Sequence, residues 1–104
     1  MDKISFNFNN KTAVITGGAQ GFGLDIAKRF LNSGAKVIIW DIDPEMIEKS
    51  SKELNNPNLN SNIVDVSNFK EVEKCVNEII KDSNIDILIN NAGITGPTAT
   101  LWEY

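Results

Sequence analysis

The reading of the chain turns on Thr16-Gly17-Gly18-Ala19-Gln20-Gly21-Phe22-Gly23. Ahead of it runs the short apolar segment Ala13-Val14-Ile15, and behind it Leu24-Asp25-Ile26-Ala27-Lys28-Arg29-Phe30-Leu31 has helical spacing. The glycines therefore sit where a strand gives way to a helix. The first turn of a helix carries backbone N–H groups with no intrahelical partner, and the helix dipole adds partial positive charge there. A phosphate can be held at such a place with little side-chain chemistry. Glycine permits the left-handed backbone of a tight turn and lets a ligand press against the main chain.

The spacing is Gly-x-x-x-Gly-x-Gly, which differs from the Gly-x-Gly-x-x-Gly of the common dinucleotide fingerprint. A purely structural turn is the competing reading of the glycines alone. The rest of the chain bears on that choice.

Working outward, the apolar runs are continuous rather than alternating, as expected of strands covered on both faces. The pattern predicts a first strand over 12–16 and a helix over 21–32, stopped by Gly34. A second strand follows over 36–40, ending at Asp41. Asp43-Pro44 opens a second helix, with Asp43 as N-cap and Pro44 in the first turn. A short third strand is expected near 62–64, ending at Asp65. Ser67 is placed to cap a third helix over 68–81, whose Phe69, Val72, Val76, Ile79 and Ile80 recur at helical spacing. A fourth strand over 85–89 runs into Asn90-Asn91-Ala92-Gly93, and Ile94 to Tyr104 reads as loop. The sum is β-α-β-α-β-α-β. It predicts a doubly wound parallel α/β sheet of strand order 3-2-1-4, with right-handed crossovers and helices on both faces. The 104 residues suit one modest domain, taken as spanning 1–104.

Composition narrows the function classes. The hydrophobic share of 41% and charged share of 23% are those of an ordinary soluble chain. Net charge is −4 with no basic cluster, which argues against a nucleic-acid or anionic-membrane surface. There is no histidine and one cysteine, Cys75, so a Ser-His-Asp triad is impossible within this sequence and a transition-metal site is not expected. Cys75 lies in the amphipathic third helix and reads as a small core residue. No membrane-length apolar run or signal-peptide pattern is present, so a cytoplasmic protein is expected.

In such a sheet ligands gather outside the carboxyl ends of the strands. Four features fall at those ends: the glycine turn, Asp41, Asp65, and Asn90 to Gly93. Asp41 stands where an acid accepts ribose hydroxyls. An extra cap for the second helix is its alternative, but Asp43 already suits that task. At the ribose position Asp41 would also select against a 2′-phosphate. At about 4 Å and an effective dielectric near 20, like charges repel by up to ~4 kcal/mol, and a third of that is roughly tenfold in affinity. No Lys or Arg in the glycine loop offsets this, so NAD is expected over NADP. Asp65 can meet an adenine amino group or help cap the third helix.

These motifs, in this order, resemble the short-chain dehydrogenases/reductases, and the likeness runs from the first strand to Tyr104. It implies a Rossmann-type fold, a nicotinamide dinucleotide, and hydride transfer between an alcohol and a ketone. Carried over residue by residue, Gly17, Gly21 and Gly23 would line the pyrophosphate, with Gln20 and Phe22 of the same turn also binding the cofactor. Asp41 would hold the adenosine ribose, and Asp65 with Val66 the adenine. Asn90, Ala92 and Gly93 would border the ribose and support the central sheet. The stretch Gly93-Ile94-Thr95-Gly96-Pro97, with Leu101-Trp102-Glu103-Tyr104, is most similar to sugar or sugar-acid dehydrogenases and 3-oxoacyl-carrier-protein reductases. Members of the family place their catalytic Asn, Ser, Tyr and Lys after the Asn-Asn-Ala-Gly motif. Tyr104 follows Gly93 too closely to match that tyrosine, so no catalytic residue is assigned. The resemblance implies the cofactor-binding half of an enzyme that is homo-oligomeric when full-length. This half is expected to be inactive alone and to leave the fourth strand's edge, with Ile87, Leu88 and Ile89, short of cover. The alternative is a non-catalytic dinucleotide-binding or regulatory module.

Overall fold

A computed structural model describes residues 8–91 and the backbone of 100–103. The elements are β1 (Thr12–Thr16), α1 (Gly21–Asn32), β2 (Lys36–Asp41), α2 (Pro44–Leu54), β3 (Leu59–Ile63), α3 (Phe69–Ile80), β4 (Ile87–Asn90) and β5 (Thr100–Glu103). They form a sheet of order β3-β2-β1-β4-β5, in which β1 to β4 are parallel. Four parallel strands in the order 3-2-1-4 with alternating helices give the Rossmann-type, doubly wound arrangement.

The continuous apolar runs have a direct explanation in the sheet. Successive strand residues point to opposite faces, and both faces here are covered. Ala13 and Ile15 of β1, Val37 and Ile39 of β2, and Ile87 and Ile89 of β4 join one core with Ala27 and Leu31 of α1 and Ile47 of α2. Val14, Ile38, Trp40 and Leu88 face the other way, against Val72, Cys75, Val76 and Ile79 of α3. Val14, Ile15 and Ile39 are wholly buried, and each such side chain contributes about 1.5–3 kcal/mol of transfer free energy.

Local chemistry sets the helix ends. Asp43 Oδ1 accepts from the N–H groups of Glu45 (3.0 Å) and Met46 (3.3 Å), so it caps α2 as the sequence implies. The cap of α3 is a correction. Asn68, not Ser67, accepts from Lys70 and Glu71 at 3.1 and 3.3 Å. Ser67 is engaged by Asp65 instead.

Other expectations shift too. β3 begins earlier than predicted, at Leu59, because it pairs only with β2 and needs no apolar run; Asn60, Ser61 and Asn62 lie on an edge strand. β4 begins at Ile87 rather than residue 85. Asp86 precedes it and brackets Thr12 twice, its N–H donating to the Thr12 carbonyl at 3.0 Å and its Oδ2 accepting from the Thr12 N–H at 2.8 Å. On α3, Phe69 is 74% exposed and Ile80 51%. At 100° per residue both lie roughly 70–90° from the centre of the face set by Val72, Cys75, Val76 and Ile79.

The last stretch was expected to be loop, but residues 100–103 form β5, antiparallel to β4 with Leu88 opposite Trp102. Thr, Leu and Trp favour extended pairing, and the β4 edge supplies the partner. The expected exposure of that edge is therefore corrected for Ile87 and Ile89, which are 8% and 5% exposed, while Leu88 is half-buried. Ala92 and Gly93 lie outside the described residues. No helix among the described residues is long and apolar enough to cross a membrane.

Candidate functional site

The carboxyl ends of β1, β2 and β3 open into a cleft of about 350 Å³, within the range of small-molecule sites. Gly17 and Gln20 form one wall, Asp41 and Ile42 another, and Val64, Asp65 and Ser67 a third. A larger hollow, about 620 Å³, lies between β3 and α3 among Glu71, Lys74 and Glu78, away from the glycine turn.

The glycine turn is built for close approach. Gly17 and Gly21 have φ of 64° and 57°, the left-handed region. A Cβ on Gly21 would meet nothing within 4 Å, so its outer side is open. Gly23 is the opposite case. A Cβ there would overlap the Gly17 carbonyl oxygen and stand 2.9 Å from Asn91 Nδ2. The first turn of α1 therefore lies directly on the turn that precedes it. Gln20 occupies the N-cap position with extended backbone but no side-chain cap bond, and no acid stands in the first turn. Among the described residues no side chain caps the leading amides of α1, an arrangement that can hold an anion.

Asp41 is 6% exposed and fixed by main-chain donors from two sides. Its Oδ2 accepts from the Ala19 N–H at 3.3 Å, inside the glycine turn, and its Oδ1 from the Asp43 N–H at 3.1 Å. It bonds no amide of α2, so the extra-cap alternative does not describe it. A carboxylate has about four lone-pair sites, so two remain for ligand hydroxyls.

Asp65 is half-buried at the edge of the cleft. Its Oδ1 accepts from the Ser67 hydroxyl at 2.6 Å and the Ser67 N–H at 3.0 Å. The hydroxyl first, then the amide, holds its carboxyl below the usual value. It does not cap α3 with its side chain. Val66 lines the same cleft. Phe22 is 54% exposed at the start of α1.

A second set of bonds was not visible in the sequence. Thr16 Oγ1 accepts the Asn91 N–H at 2.8 Å and donates to Asn90 Oδ1 at 3.1 Å, with the Ile89 carbonyl at 3.4 Å. Asn91 Nδ2 donates to the Gly17 carbonyl at 3.3 Å. The end of β4 is thus tied to the glycine turn, and Asn90 acts through Thr16. Only the parallel register, which sets Thr16 beside Asn90, brings these residues together. Ala19, Ile42 and Val64 were likewise unassigned, because their parts depend on main-chain position and on packing.

The glycine turn, the buried acid after β2 and the asparagines after β4 thus meet at one rim, and the short chain dehydrogenase family profile matches residues 11–102. The chain belongs to the short-chain dehydrogenase family. Within that family it is 41% identical over 95 residues to the 3-oxoacyl-acyl-carrier-protein reductase of Rickettsia typhi, covering 91% of this chain and 38% of that protein. The solved 2-keto-3-deoxy-D-gluconate dehydrogenase of Streptococcus agalactiae is 33% identical, with a TM-score of 0.77 over 88% of this chain and 36% of its own. The RhlG–NADP complex of Pseudomonas aeruginosa is 29% identical, with a TM-score of 0.76 over 86% of this chain and 37% of its own. The chain spans little more than a third of the length of these short-chain dehydrogenase relatives.

Proposed function

We propose that this chain is the dinucleotide-binding part of an NAD-dependent oxidoreductase that moves a hydride between nicotinamide and an alcohol or ketone. The observation that carries the reading is Asp41, a buried carboxylate held against the glycine turn by the Ala19 amide and open to the cleft. The residues fit the cofactor. Uncapped amides of α1 and the open side of Gly21 suit a pyrophosphate held by Gly17, Gln20, Gly21, Phe22 and Gly23. Asp41 would take the ribose hydroxyls of the adenosine, and Asp65 with Val66 the adenine. Asn90, Ala92 and Gly93 would border the nicotinamide half.

When bound, the nicotinamide supplies the hydride chemistry. This chain's residues bind and orient it. The groups that move the substrate proton belong to the part of the family fold that this chain does not span, and full-length protein is proposed to be a cytoplasmic homo-oligomer. NAD is preferred because a 2′-phosphate would face the Asp41 charge. The fold itself does not choose, since RhlG was solved with NADP.

Calorimetric titration with NAD and NADP tests this. NAD is expected to bind at least about tenfold more tightly, the screened repulsion worked above. Asp41→Asn, which removes the charge and keeps one of the two acceptor oxygens, should narrow that gap to within about threefold. Equal or tighter NADP binding by the natural chain would refute the reading of Asp41. The chain alone should show no NAD-linked alcohol oxidation, and turnover would show that a catalytic group has been overlooked.

A further inference from the structure

β3 is the outer strand of the sheet and pairs on one side only. The register shows what its free edge offers. The Asn58 carbonyl accepts from the Val37 N–H at 2.9 Å, and the Val64 N–H donates to the Asp41 carbonyl at 3.0 Å. With Leu59 opposite Val37, this phase turns the main-chain groups of Asn60 and Asn62 toward β2. Those of Leu59, Ser61 and Ile63 point outward, where no further strand takes them among the described residues. The Leu59 N–H is the exception, bonded to the Asn56 carbonyl at 3.0 Å.

Edge strands are ordinarily guarded by a charge, a proline or a bulge. Leu59-Asn60-Ser61-Asn62-Ile63 carries no charge and no proline, and its register on β2 is unbroken. Ile63 at its end is 59% exposed. α3 does not close over the edge, because the hollow of about 620 Å³ lies between the two. The strand also reads alike in both directions: apolar, Asn, Ser, Asn, apolar. A contact between two copies about a two-fold axis has to be self-complementary in this way.

We propose that β3 pairs antiparallel with β3 of a second copy, about a two-fold axis at Ser61. Main chain and side chains both fit. The two Ser61 residues form a hydrogen-bonded pair, each N–H donating to the other's carbonyl, and each Ile63 N–H donates to the other copy's Leu59 carbonyl. The engaged Leu59 N–H falls at the end of this ladder. Leu59 stands opposite the other copy's Ile63, on the face that joins the α2 core. Asn60 stands opposite the other copy's Asn62, on the opposite face. Centring the axis on Asn60 or Asn62 would keep the phase but part Leu59 from Ile63. An edge of five residues falls short of the roughly 1,000 Å² of a stable interface, so the dimer is weak and concentration-dependent. It forms whichever cofactor the cleft accepts.

Sedimentation velocity of the chain up to about 1 mM tests it, and a monomer–dimer equilibrium is expected. Asn60 and Asn62 are exposed, so charges there leave the fold intact. Asn60→Lys with Asn62→Lys sets like charges opposite each other and should weaken the dimer at least about tenfold. Asn60→Lys with Asn62→Glu sets opposite charges together and should stay within about threefold of the natural chain. A chain that stays monomeric, equal loss in the two variants, or association that neither variant changes would each overturn the proposal. A second arm reads the axis directly. In a Cys75→Ser protein, Ser61→Cys places two thiols on residues with Cα atoms about 5.5 Å apart, within disulfide reach. Asn60→Cys places them about 8 Å apart, beyond it. Under mild oxidation the first should form disulfide dimer at least about tenfold faster, and an equal or faster rate at position 60 would overturn the assignment.

Discussion

Replacing Gly23 by alanine probes the contact on which the glycine-turn cleft is built. The added Cβ would overlap the Gly17 carbonyl oxygen and crowd Asn91 Nδ2 at 2.9 Å. Restoring ordinary van der Waals separation moves the first turn of α1 by about 1 Å, and overpacking of this kind costs about 1–3 kcal/mol. The displaced carbonyl also accepts from Asn91, a bond worth about 0.5–1.5 kcal/mol. The sum is about 2–4 kcal/mol, a large part of the 5–15 kcal/mol typical of a domain. Gly21→Ala is the paired control. Its Cβ meets nothing within 4 Å, so the cost is that of a left-handed residue, about 1–2 kcal/mol. Urea midpoints at constant m-value give both numbers. Gly23→Ala should be the more destabilising by about 1–2 kcal/mol, while Gly21→Ala should weaken dinucleotide binding out of proportion to its stability loss, because its methyl enters the open side. If Gly23→Ala is no worse than Gly21→Ala, the account of how α1 rests on its own turn is wrong.

Other outcomes follow from the same contacts. Thr16→Val keeps the shape but leaves the Asn91 N–H without its acceptor at 2.8 Å; a loss of about 1–3 kcal/mol is expected in urea unfolding, and a neutral result would remove the tie between β4 and the glycine turn. In an NMR pH titration the Asp65 carboxyl should titrate below the ordinary 3.8, and Ser67→Ala, which removes the hydroxyl but keeps the amide, should bring it part of the way back. Because the folded value is the lower one, this group's contribution is present above the unfolded value and lost as pH falls through the folded one. A midpoint at or above 3.8 would contradict the Ser67 bonds. Burial first, then the Glu71 and Glu78 charges, raises the Cys75 thiol above its usual value, with Lys74 opposing. Alkylation at pH 8 should therefore be slower folded than in urea, and equal rates would place Cys75 outside the α3 interface.

Much of this architecture is legible in the residues because strand burial is written in composition. Val14, Ile15, Val37, Ile38 and Ile39 admit no amphipathic reading, and the Asp43-Pro44 start of α2 is a local signal. The Asn60-Ser61-Asn62 edge carries no hydrophobic signature, so β3 was misplaced. β5 depends on a partner strand whose position no local pattern gives. The glycine turn and Asp41 stood out as chemistry, whereas the Thr16–Asn90–Asn91 bonds arise from register, which is a property of the whole sheet. Phe69 and Ile80 matched helical spacing without facing the core, because a period fixes the stripe but not its width.

Asp41 has a consequence for how cofactor preference can drift. Its carboxylate is proposed to meet a ribose, and it is also the acceptor on which the Ala19 and Asp43 amides depend. Swapping it for a small apolar residue would strand those donors, one of them deep inside, at about 1–3 kcal/mol each. Asparagine or serine would quench the charge but offer one oxygen where the two amides use two, so either would still strand one donor. On the proposed role of Asp41, selectivity and foldedness would share one side chain, and the two could not be tuned apart in a single step.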